Sequence, residues 1–296
     1  MMLRERARIF LCLCKARISL FSSLSAAMGF FLVNEPAWEM LPALLTGVFL
    51  LSCGACALNQ YQERTEDARM ARTSRRPIPS GKIRPGRALG LALLLILAGE
   101  GLLLSTGNPV VPLLGAAAVC WYNVLYTGLK KVSAFAVVPG ALVGCLPPVM
   151  GWVAGGGTLS DPRLASLAFF FCMWQVPHFW LHLLSYGKEY AEAGLPSLTD
   201  VFSAAQLERL TFQWVSATAV SALLLGLSGL LQSPFAKAGL AAASLWLVAG
   251  GIFLMLRHEA THTMLFRRAN TFMLAVMLLT VIDQCPGCLA RMMSAS

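Results

Sequence analysis

Apolar runs of membrane-spanning length recur along the chain, at about 18–34, 40–60, 88–106, 109–127, 132–153, 164–186, 210–231, 234–256 and 269–284. A spanning helix needs about 20 predominantly apolar residues. In lipid the backbone must satisfy its own hydrogen bonds, and a helix does so within one segment. The pattern predicts an all-α, polytopic membrane helix bundle of about nine transmembrane helices, the first and last spans being short and flanked by polar residues. The reading is of a single membrane domain over 1–296, with a cytoplasmic tail at 1–17 and two long polar loops near 61–87 and 187–209. These loops follow the second and sixth spans, a placement that suggests two similar halves with a binding site between them. They share almost no identical residues.

Composition agrees with the pattern and narrows the class. Hydrophobic residues make up 57% and charged residues 12%, against roughly 25% charged in soluble domains. Of the 23 Lys and Arg, all but Arg163, Lys237 and Arg291 fall in the tail or in loops on one side of the nine-span arrangement. That bias accounts for the net charge of +9 by the positive-inside rule and puts the N-terminus inside. With no soluble domain to display a basic patch, nucleic acid is excluded as a partner. The first apolar stretch lacks a small-residue cleavage site and reads as a retained span. The expected location is a bacterial cytoplasmic (inner) membrane, with a mitochondrial inner membrane less favoured because the Arg-rich start is short for a transit peptide.

The chemistry gathers behind the second span. Asn59, Glu63 and Asp67 recur at i, i+4 and i+8, so a continuing helix stacks their oxygens on one face. Behind them come Arg64, Arg69, Arg72, Arg75 and Arg76, stopped by Pro77. Ionisable groups at the end of a membrane helix need partners. Hard oxygens suit Mg²⁺, which takes one or two carboxylates and completes its shell with phosphate and water; arginines suit a diphosphate. The bland alternative is a solvated helix end, and Glu66 reads as charge balance.

Three further stretches carry polar groups. Tyr122 to Lys131 closes the fourth span, where Tyr126, Lys130 and Lys131 fit either an aromatic belt with inside lysines or a phosphate grip. Gly140, Gly144, Pro147 and Pro148 then interrupt the fifth span and favour close packing or a kink beside a bulky ligand. Gln175 and His178 lie in the sixth span and require partners inside the bundle. His178 with His182, and His258 with His262, have i, i+4 spacing that suits metal or haem iron, although a packed, hydrogen-bonded His is commoner. Lys188, Glu189 and Tyr190 open the second long loop, and a carboxylate there suits a second Mg²⁺ contact. Of nine cysteines, Cys285 and Cys288 form a Cys-Pro-Gly-Cys read as a structural pair at the outer end of the last span.

Taken together, these stretches resemble the protoheme IX farnesyltransferase (haem O synthase) family of the UbiA-type intramembrane prenyltransferases. The similarity runs from Lys15-Ala-Arg17 to about Asp283 and rests on four stretches in order. They are Asn59-x₃-Glu63-x₃-Asp67 with Arg72 and Arg75-Arg76-Pro77; Tyr126-Thr-Gly-Leu-Lys130-Lys131 with Gly140 and Gly144; Trp174-Gln175-Val-Pro177-His178-Phe179; and Lys188-Glu189-Tyr190 running to Pro196. The family normally has Asp where Glu63 and Glu189 stand, and Glu reaches one methylene further. The resemblance implies a bundle around a central cavity open to the cytoplasmic face. It implies farnesyl diphosphate and protohaem IX as substrates, with haem a substrate and not a prosthetic group, and Mg²⁺ as cofactor on Asn59, Glu63, Asp67 and Glu189. Arg72, Arg75, Arg76, Lys130 and Lys131 would hold the diphosphate, and Tyr126, Gln175, His178 and Tyr190 the substrates. Beyond the lipid bilayer, haem A synthase or terminal-oxidase assembly proteins are the candidate partners. Other readings are a quinone-precursor prenyltransferase, a transporter, or a non-catalytic haem-binding assembly factor. A transporter would place ionisable groups near mid-membrane, where Glu100 alone stands out, and a haem binder would not need the arginine–carboxylate cluster.

Overall fold

Long apolar segments with no water to bond their backbone close their hydrogen bonds internally, and every such segment here is helical. The computed structural model describes residues 3–192, 194–257 and 262–284, with side chains described throughout except at 3, 183–188, 190–192, 254 and 257. Among the described residues there is no β-strand. The helices run α1 (Leu3–Leu13), α2 (Ala16–Phe31), α3 (Leu41–Gln62), α4 (Arg64–Arg69) and α5 (Pro85–Leu104). They continue as α6 (Val110–Leu129) and α7 (Val137–Ala154), then α8 (Pro162–Glu192), α9 (Ala204–Leu227), α10 (Pro234–Arg257) and α11 (His262–Gln284).

Eight helices are long and apolar enough to cross a membrane, and α1 with α2 forms a pair bent by 58° that makes up to a ninth span. The expected number of spans is therefore borne out, and the chain is a multi-pass membrane protein. Large apolar side chains such as Leu97, Leu113, Leu227, Leu245 and Leu256 stand exposed on the helices, as a lipid-facing surface requires.

Three departures from regular helix shape the interior. The α1–α2 break falls at Lys15, whose φ of 44° and ψ of 52° are left-handed, a conformation that costs a residue with a Cβ about 1–2 kcal/mol. In α6, Trp121–Tyr126 is a π-helical turn, a feature frequent at functional sites. In α7, residues Ala141–Cys145 tighten to a 3₁₀ turn ahead of Leu146–Ala154, where Pro147 and Pro148 lack the N–H that a longer ladder needs.

Small residues set the helix spacing. A Cβ on Gly151 of α7 would lie 1.8 Å from the Ala26 carbonyl oxygen of α2, so the two backbones touch only because Gly stands there. One core gathers Met28, Trp152, Phe170, Phe171, Trp174 and Phe272 from α2, α7, α8 and α11. A second gathers Phe30, Leu44, Val48, Leu51, Leu103 and Met150 from α2, α3, α5 and α7. At 31 residues, α8 is about 46 Å long at 1.5 Å per residue, well beyond a hydrocarbon layer of about 30 Å. Its last turns therefore carry Lys188, Glu189 and Tyr190 past the apolar stretch that ends at His182.

Candidate active site

The α3 helix reaches Asn59 with its polar face turned inward, and Asn59, Glu63 and Asp67 are all buried. The helix pauses at Glu63, with φ −101° and ψ 12°, before α4 resumes. The i→i−4 ladder nonetheless continues, Glu63 N donating to Asn59 O at 3.0 Å and Asp67 N to Glu63 O at 2.8 Å. The three side chains thus stay in register through the kink.

Buried carboxylates need opposite charge, and each one here has it. Arg76 Nη1 donates to both Asp67 oxygens, at 2.8 and 2.6 Å. Glu63 pairs with Lys130 of the segment after α6 and also accepts from Asn59 Nδ2 at 2.6 Å. Asn59 Nδ2 reaches Thr127 Oγ1 at 3.2 Å. The remaining Asn59 oxygen accepts from Lys15 Nζ at 3.1 Å. Glu66, on another side of α4, pairs with Lys131 at 2.7 Å. Burial opposes its ionisation, but hydrogen bonds from Lys131 and Thr65 outweigh that and hold its pKa down to about 2.

The segment between α4 and α5 folds back over this cluster through tight turns. Thr73 Oγ1 donates to Asp67 O at 2.9 Å, and Arg76 N donates to Thr73 O at 2.9 Å, which aims the Arg76 guanidinium at Asp67. Ile78 anchors the return among Leu13, Ala57, Ala88 and Ala92. The second long loop meets the first here: Arg72 N donates to Glu189 Oε2 at 3.0 Å, and Met70 packs against Leu195. Arg75 is exposed and makes no hydrogen bond or ion pair to a described residue.

A second set of groups lies along α6, α7 and α8. The Tyr126 ring stacks on Tyr122 at 5.8 Å and meets Phe179 at 5.9 Å. It also fills the space a Cβ on Gly140 would need, 2.4 Å away. Gln175 Oε1 occupies the matching space beside Gly144, at 2.8 Å. His178 shares a 2.8 Å hydrogen bond with Asn270 of α11 and lies between Trp174 and Phe266, at 4.7 and 4.9 Å. It is thus a packed, hydrogen-bonded histidine. The side chain of Tyr190, and His258, Cys285 and Cys288, lie outside the described residues.

Sequence reasoning did not assign Lys15, Gln62, Asn123, Thr127 or Asn270 to the site. Gln62 and Asn123 are doubly linked: Gln62 Nε2 donates to the Asn123 backbone carbonyl at 2.9 Å, and Asn123 Nδ2 donates to Gln62 Oε1 at 3.1 Å. Asn123 also donates to Ala55 O at 3.0 Å, so the π-helical turn is fastened to the end of α3. The signal was present as polar residues inside apolar runs, Asn123 and Asn270 above all, while Lys15 was read only as topological charge.

Among the described residues no three His, Cys, Asp or Glu side chains are gathered into a ready-made metal centre. Mg²⁺ does not ask for one, since it is usually held by one or two carboxylates plus substrate phosphates. The hard oxygens of Glu63 and Asp67, with Asn59 beside them and Glu189 across the loop contact, fit that chemistry. The site thus gathers buried carboxylates, the cations paired with them and, along α6 to α8, a packed set of aromatic side chains at the end of a membrane helix bundle.

Residues 20–277 match the UbiA prenyltransferase family. The chain is 40% identical over 267 residues to a protoheme IX farnesyltransferase of Geobacter sulfurreducens, covering 88% of this chain and 94% of that protein. It is 34% identical over 283 residues to one of Oleidesulfovibrio alaskensis, covering 96% and 97%. In fold it is similar to a digeranylgeranylglyceryl phosphate synthase, with a TM-score of 0.77 at 14% identity over 95% of this chain and 99% of that one. A UbiA homolog from Archaeoglobus fulgidus solved with GPP and Mg²⁺ gives a TM-score of 0.65 at 14% identity, covering 92% and 99%. The chain belongs to the UbiA prenyltransferase family, grouping there with the protoheme IX farnesyltransferases, and is a prenyltransferase.

Proposed function

We propose that the protein transfers the farnesyl group of farnesyl diphosphate to a vinyl group of protohaem IX, giving haem O. The observation that carries this reading is the buried Asn59–Glu63–Asp67 row, with Arg76, Lys130 and Lys15 already on it. The similarity to protoheme IX farnesyltransferases over most of the chain supports the choice of substrates.

Asn59, Glu63, Asp67 and Glu189 would hold Mg²⁺ on the diphosphate. When bound, the metal supplies Lewis-acid stabilisation of the leaving group's charge. Arg76, Lys130, Lys131 and Arg72 add positive charge at the same end, and stabilising charge that develops as the C–O bond breaks is the strongest contribution such a site offers. Arg75, exposed at the rim, meets the diphosphate as it arrives. The C–O bond of the prenyl donor breaks with both electrons going to diphosphate. The vinyl carbon of the haem bonds to the allylic carbon left behind, and water then adds to the side chain and loses a proton. Tyr126, Phe179 and Trp174 keep the reacting carbons in an apolar compartment, so the allylic cation meets the vinyl group before bulk water. Gln175, His178 and Tyr190 orient the acceptor.

The basic loops would face the cytoplasm of a bacterium, with the N-terminus inside, delivering the diphosphate to the end of the bundle where the carboxylates lie. Haem A synthase or terminal-oxidase assembly proteins would receive the product. The purified protein, given protohaem, farnesyl diphosphate and Mg²⁺, should yield a haem heavier by one farnesyl and one hydroxyl group, with release of pyrophosphate. Turnover with a quinone precursor or another aromatic acceptor, and none with haem, would overturn the choice of acceptor.

A further inference from the structure

Away from the carboxylates, a cavity of about 620 Å³ lies between α1 and the start of α5, lined by Arg6, Ile9, Phe10, Leu13, Gly81, Lys82, Ile83, Arg84, Arg87 and Leu91. Its polar wall is Arg6, Lys82, Arg84 and Arg87, and no Asp or Glu lines it. None of these four side chains makes a hydrogen bond or ion pair to a described residue. Four exposed cations brought together without a counter-charge make a local positive potential that attracts an anion. The rest of the lining is largely apolar, with Ile9, Phe10 and Leu13 from α1 and Leu91 from α5.

The shape continues along α5. Arg84 and Arg87 are followed by Leu91 and then Leu94 and Leu97, which are 63% and 70% exposed. Spacings of four and three put Arg87, Leu91 and Leu94 along one stripe of the helix, with Arg84 just ahead of it as the N-cap and Leu97 turned to the flank. The stripe therefore runs from guanidinium groups at the end of a span to leucines that face lipid. A molecule matching it has an anionic phosphate head and apolar chains that pass directly into the bilayer. Helix α1 closes the far side as an amphipathic element, with Arg4, Arg6 and Arg8 exposed and Ile9 and Leu13 buried, the pattern of an interfacial helix drawn to anionic lipid.

We propose that this cavity is a binding site for one anionic phospholipid, its phosphate held by Arg6, Lys82, Arg84 and Arg87 and its acyl chains laid along Leu91, Leu94 and Leu97. The occupant also steadies the α1–α2 break. Leu13 lines the cavity, and Lys15 two residues on contacts Asn59. A phospholipid is favoured over a free phosphate because the apolar half of the site would otherwise stay uncovered.

The test is native mass spectrometry of the full chain in zwitterionic detergent, offered equimolar phosphatidylglycerol and phosphatidylcholine. One tightly retained phosphatidylglycerol is expected. The Arg84→Gln/Arg87→Gln variant should lower its retention roughly 10-fold or more, with an unchanged melting temperature in lipid-free detergent. Should that variant fold poorly, Arg6→Gln, on an exposed position of α1, gives a smaller loss in the same direction. Equal retention of the two lipids, or retention unchanged in both variants, overturns the site. So does displacement of the bound phosphatidylglycerol by geranyl diphosphate or pyrophosphate at matching concentration, which would make the cavity a diphosphate site.

Discussion

The two long polar loops occupy corresponding places after the second and sixth spans, yet they use their acids differently. In the first, Glu63, Glu66 and Asp67 are each matched to a cation, Lys130, Lys131 and Arg76. In the second, Asp200 serves the backbone, its Oδ2 accepting from Ser197 N at 3.2 Å to close a capping box over Leu198–Asp200. Glu189 is the bridge between them, accepting from Arg72 N. The first loop is thus a charge-balanced cluster, and in the proposed reaction its carboxylates exchange a fixed cation for a bound metal. The second uses its acids mainly to fix its own backbone and meets the first through Glu189. Similar placement in two halves does not mean equal chemical shares.

The largest difference between the two loops is expected at Asp67→Asn. Asn is nearly isosteric and leaves one oxygen for Arg76, but it removes a metal-holding charge and half of a buried ion pair. Contacts that stabilise transition-state charge are commonly worth about 10²–10³ in rate, so turnover of the folded variant should fall by that much in a product assay, alongside a lower melting temperature. Near-normal turnover would show the first loop to be scaffold alone. On the other side, Asp200→Ala removes the N3 half of the capping box while Ser197 keeps the N-cap bond, and should cost less than the roughly 1 kcal/mol of losing the cap itself, read as a slightly lower melting temperature with turnover at saturating substrate retained. The smallest effect is expected at Glu66. Its pKa is lowered to about 2, so the pairing with Lys131 stabilises the fold above the ordinary carboxylate range and is lost as pH falls through about 2. Lys131 is 39% exposed, and such pairs contribute about 0.2–1 kcal/mol. Glu66→Gln should therefore lower stability slightly at neutral pH, and the difference from the parent should vanish in strong acid.

Much of this was legible in the sequence, for identifiable reasons. Apolar length fixed the spans, because lipid leaves helices few alternatives. The i, i+4, i+8 row survived because the backbone ladder runs through the Glu63 kink. What stayed hidden depended on packing between distant segments. Nothing local to Lys130 says that it pairs with Glu63, since the contact exists only where the end of α6 lies against the end of α3. The π-helical turn at Trp121–Tyr126 leaves the apolar pattern almost unchanged while shifting which side chains face inward. The length of α8 was underestimated because hydropathy marks where a helix leaves lipid, whereas Gly194 and Pro196 mark where it stops.

In this mechanism Glu63 and Asp67 act on the diphosphate through a divalent metal, with Arg76 and Lys130 as their resting partners. Equilibrium binding of a non-hydrolysable farnesyl diphosphate analogue to the parent and to Asp67→Asn, each titrated with Mg²⁺ after EDTA treatment, separates the metal from the fixed cations. Weak binding to the parent without metal, recovered as Mg²⁺ is added, and no Mg²⁺-dependent recovery in Asp67→Asn are expected. Equally tight binding of the analogue to the EDTA-treated parent, or full recovery in Asp67→Asn, would contradict this mechanism.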